Sequence, residues 1–281
     1  MIATLFVRRS VLTLLLALVA TTVFAQAQPA QKPFEPQVGQ EGKDVIWVPT
    51  PQSLVEKMMD LAKVTASDYV IDLGSGDGRT VITAAKRGAR ALGIEYNPDM
   101  VELSKRNAIK EGVTGKAYFV KADIFESDFS QATVITMYLL PQLNVKLRPI
   151  ILDLKPGTRI VSHAFTMEEW TADQTDSFES RTAYLWIVPA KVEGTWRLPQ
   201  GELALKQSFQ MLAGTLKTSG NTLTIDNGKL RGDQISFTAG NAEYTGRVNG
   251  NTIQGTVKGS SSGSWSATRV GGSSAAAPAK Y

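Results

Sequence analysis

The residues with the most to say about chemistry lie in the run Val70-Ile71-Asp72-Leu73-Gly74-Ser75-Gly76-Asp77-Gly78-Arg79. Glycine at every second position lets the backbone turn sharply and approach a ligand closely. The apolar residues before it read as a strand, and those after it as a helix. The free N–H groups at that helix start suit a carboxylate or phosphate. Glu95 closes the next apolar run, 17 residues after Gly78. A carboxylate there can accept two hydrogen bonds from ribose hydroxyls. Tyr96 follows it, placed against a flat base or on the surface. Asp123 follows a third run, where it can accept from an adenine amine. Asp72, Gly74, Ser75, Gly76, Asp77, Gly78, Glu95, Tyr96 and Asp123 thus form a candidate nucleoside-cofactor site. A dinucleotide loop of the form G-x-G-x-x-G requires glycine at position 79, which is Arg79. A glycine-rich turn that merely closes a βα unit is the remaining alternative.

The Asp-x-Gly-x-Gly-x-Gly form resembles the first motif of class I S-adenosylmethionine-dependent methyltransferases. Val48-Pro49-Thr50-Pro51, Tyr138-Leu139-Leu140-Pro141, Leu147-Arg148-Pro149 and Pro156-Gly157-Thr158-Arg159 accompany it in order. Over residues 45–190 this is similar to a bacterial branch of methyltransferases resembling the ATP synthase c-subunit lysine methyltransferases. The resemblance implies S-adenosyl-L-methionine as cofactor and methyl transfer to an unidentified acceptor, with a protein lysine as one candidate. It implies that Tyr138 lies beside the reacting methyl group, where its ring face suits a cation and its hydroxyl an amine. A core aromatic capping the sheet is the alternative. His163 is a candidate base near neutral pH, or a structural histidine. Asp77 and Arg79 face the amino-acid end of the cofactor or pair at the helix start. Trp47 and Trp170 line an acceptor channel or pack in the core.

Composition narrows the alternatives. The 281 residues contain no cysteine and one histidine, which excludes a disulfide framework, a cysteine-ligated metal, a thiol nucleophile and a polyhistidine site. The net charge of +4 comes with no dense basic block, so no nucleic-acid partner is expected. A protein or small-molecule methyl acceptor is. Arg8 and Arg9 precede the uncharged Val11–Ala25, which ends in small residues. This reads as a signal peptide over residues 1–27, its apolar run short for spanning a bilayer, with export to the periplasm and no stable membrane span after cleavage; an uncleaved anchor is the alternative. Residues 28–44 read as a tether.

The elements that must position these residues divide into two halves. Residues 45–190 alternate apolar runs with helical spacing, as at Leu54, Val55, Met58 and Leu61. That grammar predicts a Rossmann-like α/β domain with a mostly parallel sheet. Residues 191–270 hold half of the 24 glycines and repeat short period-two segments behind Gly220-Asn221, Gly232-Asp233 and Gly250-Asn251. They predict a small antiparallel β-barrel-like domain of six to eight strands. Leu203, Leu205, Phe209 and Met211 are expected on one face, with Trp196, Phe209, Phe237, Tyr244 and Trp265 as barrel core. Tyr184–Val188 and Thr195–Leu198 belong to either sheet. Residues 271–281 read as a disordered tail. Address and cofactor pull apart, because S-adenosylmethionine is made in the cytoplasm. Three readings follow: an exported enzyme, an exported binding protein that keeps the fold without catalysis, and an envelope module whose function the barrel carries.

Overall fold

The computed structural model describes residues 33–199, 201–259 and 262–271. The signal-peptide reading and the 272–281 part of the tail lie outside them. The first half runs α1 (Gln52–Leu61), β1 (Tyr69–Leu73), α2 (Arg79–Lys86), β2 (Arg90–Glu95), α3 (Pro98–Lys110), β3 (Ala117–Lys121), β4 (Val134–Met137), α4 (Pro141–Leu152), β5 (Arg159–His163), β6 (Gln174–Phe178) and β7 (Arg181–Ile187). Its strands form one sheet in the order β3-β2-β1-β4-β5-β7-β6. β1 to β5 are mutually parallel, whereas β7 runs antiparallel to β5.

Burial on both faces explains the apolar runs. Alternate strand residues enter different cores. Val70, Val134, Val161 and Leu185 pack with Leu54, Met58 and Val81 from α1 and α2. Ile71, Ile135, Ile160 and Trp186 pack with Leu147, Ile151 and Trp170 on the other face. The helix starts are chemically marked. Pro98 opens α3 behind Asn97, whose Oδ1 accepts from the Asp99 N–H at 2.9 Å. α2 starts instead behind left-handed Gly78.

The second half runs β8 (Gly194–Leu198), β9 (Gly201–Ser208), β10 (Met211–Thr218), β11 (Asn221–Arg231), β12 (Gln234–Ala239), β13 (Ala242–Asn249), β14 (Thr252–Lys258) and β15 (Gly263–Arg269). These eight strands close into an antiparallel barrel, with β8 paired to β15 through Arg197↔Thr268 and Trp196↔Arg269. The undecided hairpin is thereby divided: residues 184–187 belong to β7 in the first sheet, and β8 opens the barrel. Gly255 faces both Gly246 and Trp265; the indole lies 3.1 Å from where a Cβ on Gly246 would be, and a Cβ on Gly255 would strike the Thr245 carbonyl.

One period-two expectation fails. Phe209 adopts φ +54 in a tight turn, so the inward parity shifts by one. Leu212 then points inward and Met211 outward. Phe209 leaves the barrel core and stacks on Trp170, with ring centroids 5.9 Å apart and planes 10° apart. Gln210, next in the turn, is buried and donates to the Thr171 carbonyl at 2.8 Å. The two halves are joined by packing as well as by chain. β7 ends at Ile187 opposite Arg159, the first residue of β5. The barrel therefore attaches near the amino edge of the parallel strands, away from the edge where ligands bind in open α/β sheets.

Candidate functional site

β1 has β2 on one side and β4 on the other, so the sheet order reverses beside its carboxyl end. A cavity of about 330 Å³ opens there, the place where open α/β sheets bind ligands. The glycine loop forms its floor. Gly74, Gly76 and Gly78 all have positive φ. The Gly74 and Ser75 N–H groups both donate to the Ile94 carbonyl, at 2.9 and 3.1 Å, which pins the loop to β2. The Gly76 N–H donates to Glu95 Oε2 and the Asn97 N–H to Glu95 Oε1, each at 2.9 Å. The carboxylate is thus held at both oxygens beside the cavity, with lone pairs left for a ligand. Ser104 donates to the Gly76 carbonyl at 2.8 Å, and Asn107 to that of Asp77 at 2.9 Å.

Asp72 is strongly perturbed. It is buried beneath the loop and accepts from Thr136 Oγ1 at 2.6 Å. Burial, reinforced by the Glu95 and Asp77 charges, pushes its carboxyl up to about 7 against the pull of the Thr136 and Thr80 hydroxyls. A cation in the cavity would relieve that penalty. Ser75 Oγ is buried with no hydrogen-bond partner among the described residues. It lies against Gly93 of β2, where a Cβ would come within 2.5 Å of it, so that glycine makes room for the serine.

Of the expected cofactor residues, Asp72, Gly74, Ser75, Gly76, Asp77, Glu95, Tyr96 and Asp123 line the cavity. Gly78 does not. A Cβ there would lie 2.8 Å from the Phe119 ring and from Ser104 Cβ, so this glycine serves packing between loop and sheet. Asp77 and Arg79 pair with each other at 2.6 Å, and Arg79 also donates to the Thr50 carbonyl at 2.9 Å. That favours the helix-start reading for Arg79.

A strap that the sequence pattern does not announce covers the cavity. Residues 40–50, the first of them expected to be tether, line one wall and fold back through a Glu41–Ile46 bridge. Lys43 forms an ion pair with Asp123 and lies 4.6 Å above the Tyr96 ring. The Lys43 hydrogen bond holds the Asp123 carboxyl below its ordinary value, and the same bond raises Lys43. The Trp47 indole sits where a Cβ on Gly76 would be, 2.8 Å from Nε1. Trp47 thus lines the site, whereas Trp170 is fully buried in the core. Trp47 is a channel candidate from sequence, and Thr50 belongs to the Val48–Pro51 motif. Nothing in the sequence marks Lys43.

Tyr138 leaves the end of β4 into the cavity wall. Its ring stacks on His163 at 3.9 Å and on Phe165 at 5.8 Å. His163 does not line the cavity. It is buried under Tyr138, with Nδ1 3.0 Å from Thr50 Oγ1. Burial, and then the Arg181 charge, lowers it to about 4. A histidine with that value is neutral at pH 7, and its ring supports Tyr138 from below. Among the described residues no group of acidic or histidine side chains could hold a metal ion.

These parts suit one cofactor chemistry. S-adenosylmethionine carries a sulfonium and an ammonium, matched by the carboxylates, and a ribose diol, matched by Glu95. Sheet order, glycine loop and acidic strand end together define a class I S-adenosylmethionine-dependent methyltransferase. Comparison with known proteins agrees. Residues 72–174 match the model of the ANTKMT methyltransferase domain. A protein-lysine N-methyltransferase of Saccharolobus islandicus is 44% identical over 51% of this chain and 94% of its own. The ATP synthase c-subunit lysine N-methyltransferase of Mus musculus is 31% identical over 63% of this chain and 71% of its own. A crystal structure described as an RNA methyltransferase from Salinibacter ruber, in complex with S-adenosyl-L-homocysteine, is 48% identical, with TM-score 0.51, over 52% of this chain and 96% of that one. The chain belongs to the S-adenosylmethionine-dependent methyltransferase family of these lysine N-methyltransferases.

Proposed function

We propose that the methyl acceptor is a lysine side chain of a protein. The observation that carries this reading is the Tyr138 wall: an aromatic face stacked on neutral His163 and on Phe165, beside Leu140 and Leu143 at the cavity. An amine must be neutral to act as nucleophile, and a dry apolar approach lowers its pKa. Tyr138 and Phe165, both lining the cavity, give the methylammonium product an aromatic neighbourhood. S-adenosylmethionine supplies an already activated methyl group, so the chain has chiefly to orient the acceptor and exclude water. The names of the Saccharolobus and mouse relatives support the same acceptor class.

The test is transfer of a tritiated methyl group by the purified protein to cell-envelope protein and, separately, to total RNA. Label co-eluting with Nε-methyl-lysines after acid hydrolysis is the expected result. Label confined to nucleosides would overturn it, and would side with the name of the Salinibacter structure.

We further infer that the protein works outside the cytoplasm, on the strength of the leader read in residues 1–27. Residues 1–40 fused to alkaline phosphatase should yield an active, exported reporter. An inactive reporter retained inside the cell refutes export.

A further inference from the structure

The barrel is filled unevenly. Toward the sheet its interior is closed by Trp196, Leu230, Ile253 and Ala267, all essentially inaccessible, and Gln210 seals the turn beside them. At the opposite end β8, β10, β12 and β14 finish. There Leu198, Leu223, Tyr244 and Val257 pack only partly buried against the core. A cavity of about 670 Å³ occupies that mouth, with an apolar side formed by Leu198, Leu216, Tyr244 and Trp265 and a polar rim that includes Thr218, Gln254, Ser264 and Ser266. This volume is within the usual range for small-molecule sites, and an eight-stranded barrel is wide enough to hold one small ligand.

The lining chemistry selects the ligand. Among the described residues that line the cavity none is charged. The neighbouring Lys217, Glu243 and Lys258 are exposed at outward strand positions. The walls are aliphatic on the β8 and β10 side, and aromatic where Tyr244 and Trp265 meet edge to face at 5.6 Å. Phe237 stacks on Tyr244 at 4.8 Å with planes 5° apart. The rings therefore touch one another and leave no slot for a cation between them, so they form a wall and not a cage. Trp265 spends its N–H on the Thr245 carbonyl at 2.9 Å.

We propose that the mouth of the barrel is a binding site for an uncharged, hydrocarbon-rich small molecule, separate from the cofactor cavity. An anionic ligand would meet no counter-charge in the mouth, and burying its charge there is costly. The hydrocarbon body lies between Leu198, Leu216 and the Tyr244–Trp265 wall. Thr218, Gln254, Ser264 and Ser266 at the rim offer the uncharged polar contacts that fix orientation. This site does not depend on the identity of the methyl acceptor.

The test titrates the full chain with N-phenyl-1-naphthylamine, an uncharged dye that brightens in apolar surroundings. Saturable one-to-one binding is expected, unchanged by saturating S-adenosylhomocysteine. The anionic 1-anilinonaphthalene-8-sulfonate should bind at least about tenfold more weakly. Leu198→Glu and Thr218→Trp each act at a partly exposed rim position, one by charge and one by filling. Each should weaken dye binding about tenfold or more, with thermal unfolding and S-adenosylhomocysteine affinity preserved. Absence of dye binding overturns the proposal. So does displacement of the dye by S-adenosylhomocysteine, or full binding in either folded variant.

Discussion

Replacing Asp72 by asparagine should make the protein more stable while weakening its hold on the cofactor. The folded carboxyl lies at about 7, against about 3.9 in an unfolded chain. Between those values the native state holds the proton that the unfolded state has lost. Stability therefore falls as pH rises from about 4 and levels off above about 7. Three pKa units correspond to about 4 kcal/mol. Asparagine has no charge to bury, and its carbonyl can still accept from Thr136 Oγ1. Its amide can meet the nearby Thr80 hydroxyl, which pulls the carboxyl down in the parent. Urea unfolding of both proteins at pH 8 and pH 5 measures the effect. The variant should be more stable by roughly 2–4 kcal/mol at pH 8, and by less than about 2 kcal/mol at pH 5. Calorimetry at pH 8 should show weaker binding of S-adenosylmethionine, whose cationic groups lose a buried partner. A variant less stable than the parent at pH 8, or a difference independent of pH, would refute the argument that burial strains this carboxylate.

Three further outcomes follow from the packing. Glu95→Ala should lower S-adenosylhomocysteine affinity by about 10- to 100-fold, the worth of one or two hydrogen bonds to a charged group, with the circular dichroism spectrum retained; unchanged affinity in calorimetry would remove Glu95 from the site. Gly78→Ala joins a φ of +83 to a Cβ 2.8 Å from Phe119 and Ser104, so thermal unfolding should register a loss above about 2 kcal/mol. Phe209→Ala strips the stacking on Trp170 and should cost about 2–3 kcal/mol in chemical unfolding; an unchanged midpoint would show that the barrel is not anchored through this ring.

What could be read from the sequence divides along physical lines. β1, β4 and β5 were legible because strands buried on both faces are continuous apolar runs. β6, Gln-Thr-Asp-Ser-Phe, was not, because an exposed edge strand has no such signature. The barrel hairpins were marked by Gly-Asn and Gly-Asp turns. The Phe209-Gln210 turn was not, since neither residue favours a left-handed φ and the stacking on Trp170 selects it instead. In the site, the glycine loop and Glu95 were legible through local spacing. The strap was hidden because Lys43 meets Asp123 across 80 residues of chain. His163 was correctly placed at the sheet edge, but sequence alone gives no burial, and burial decides its protonation.

The seam between β8 and β15 also sets a clock. Those strands begin and end the barrel's stretch of chain, and such distant pairings form slowly because the intervening loop must first be ordered. A barrel of this topology cannot shut until Arg269 is free to pair, whether the chain emerges from a ribosome or a translocation pore. The β9–β10 hairpin is local and carries Phe209, so it can dock on Trp170 well before then. The cofactor-binding half would be complete, and its apolar flank covered, while the last strands are still arriving.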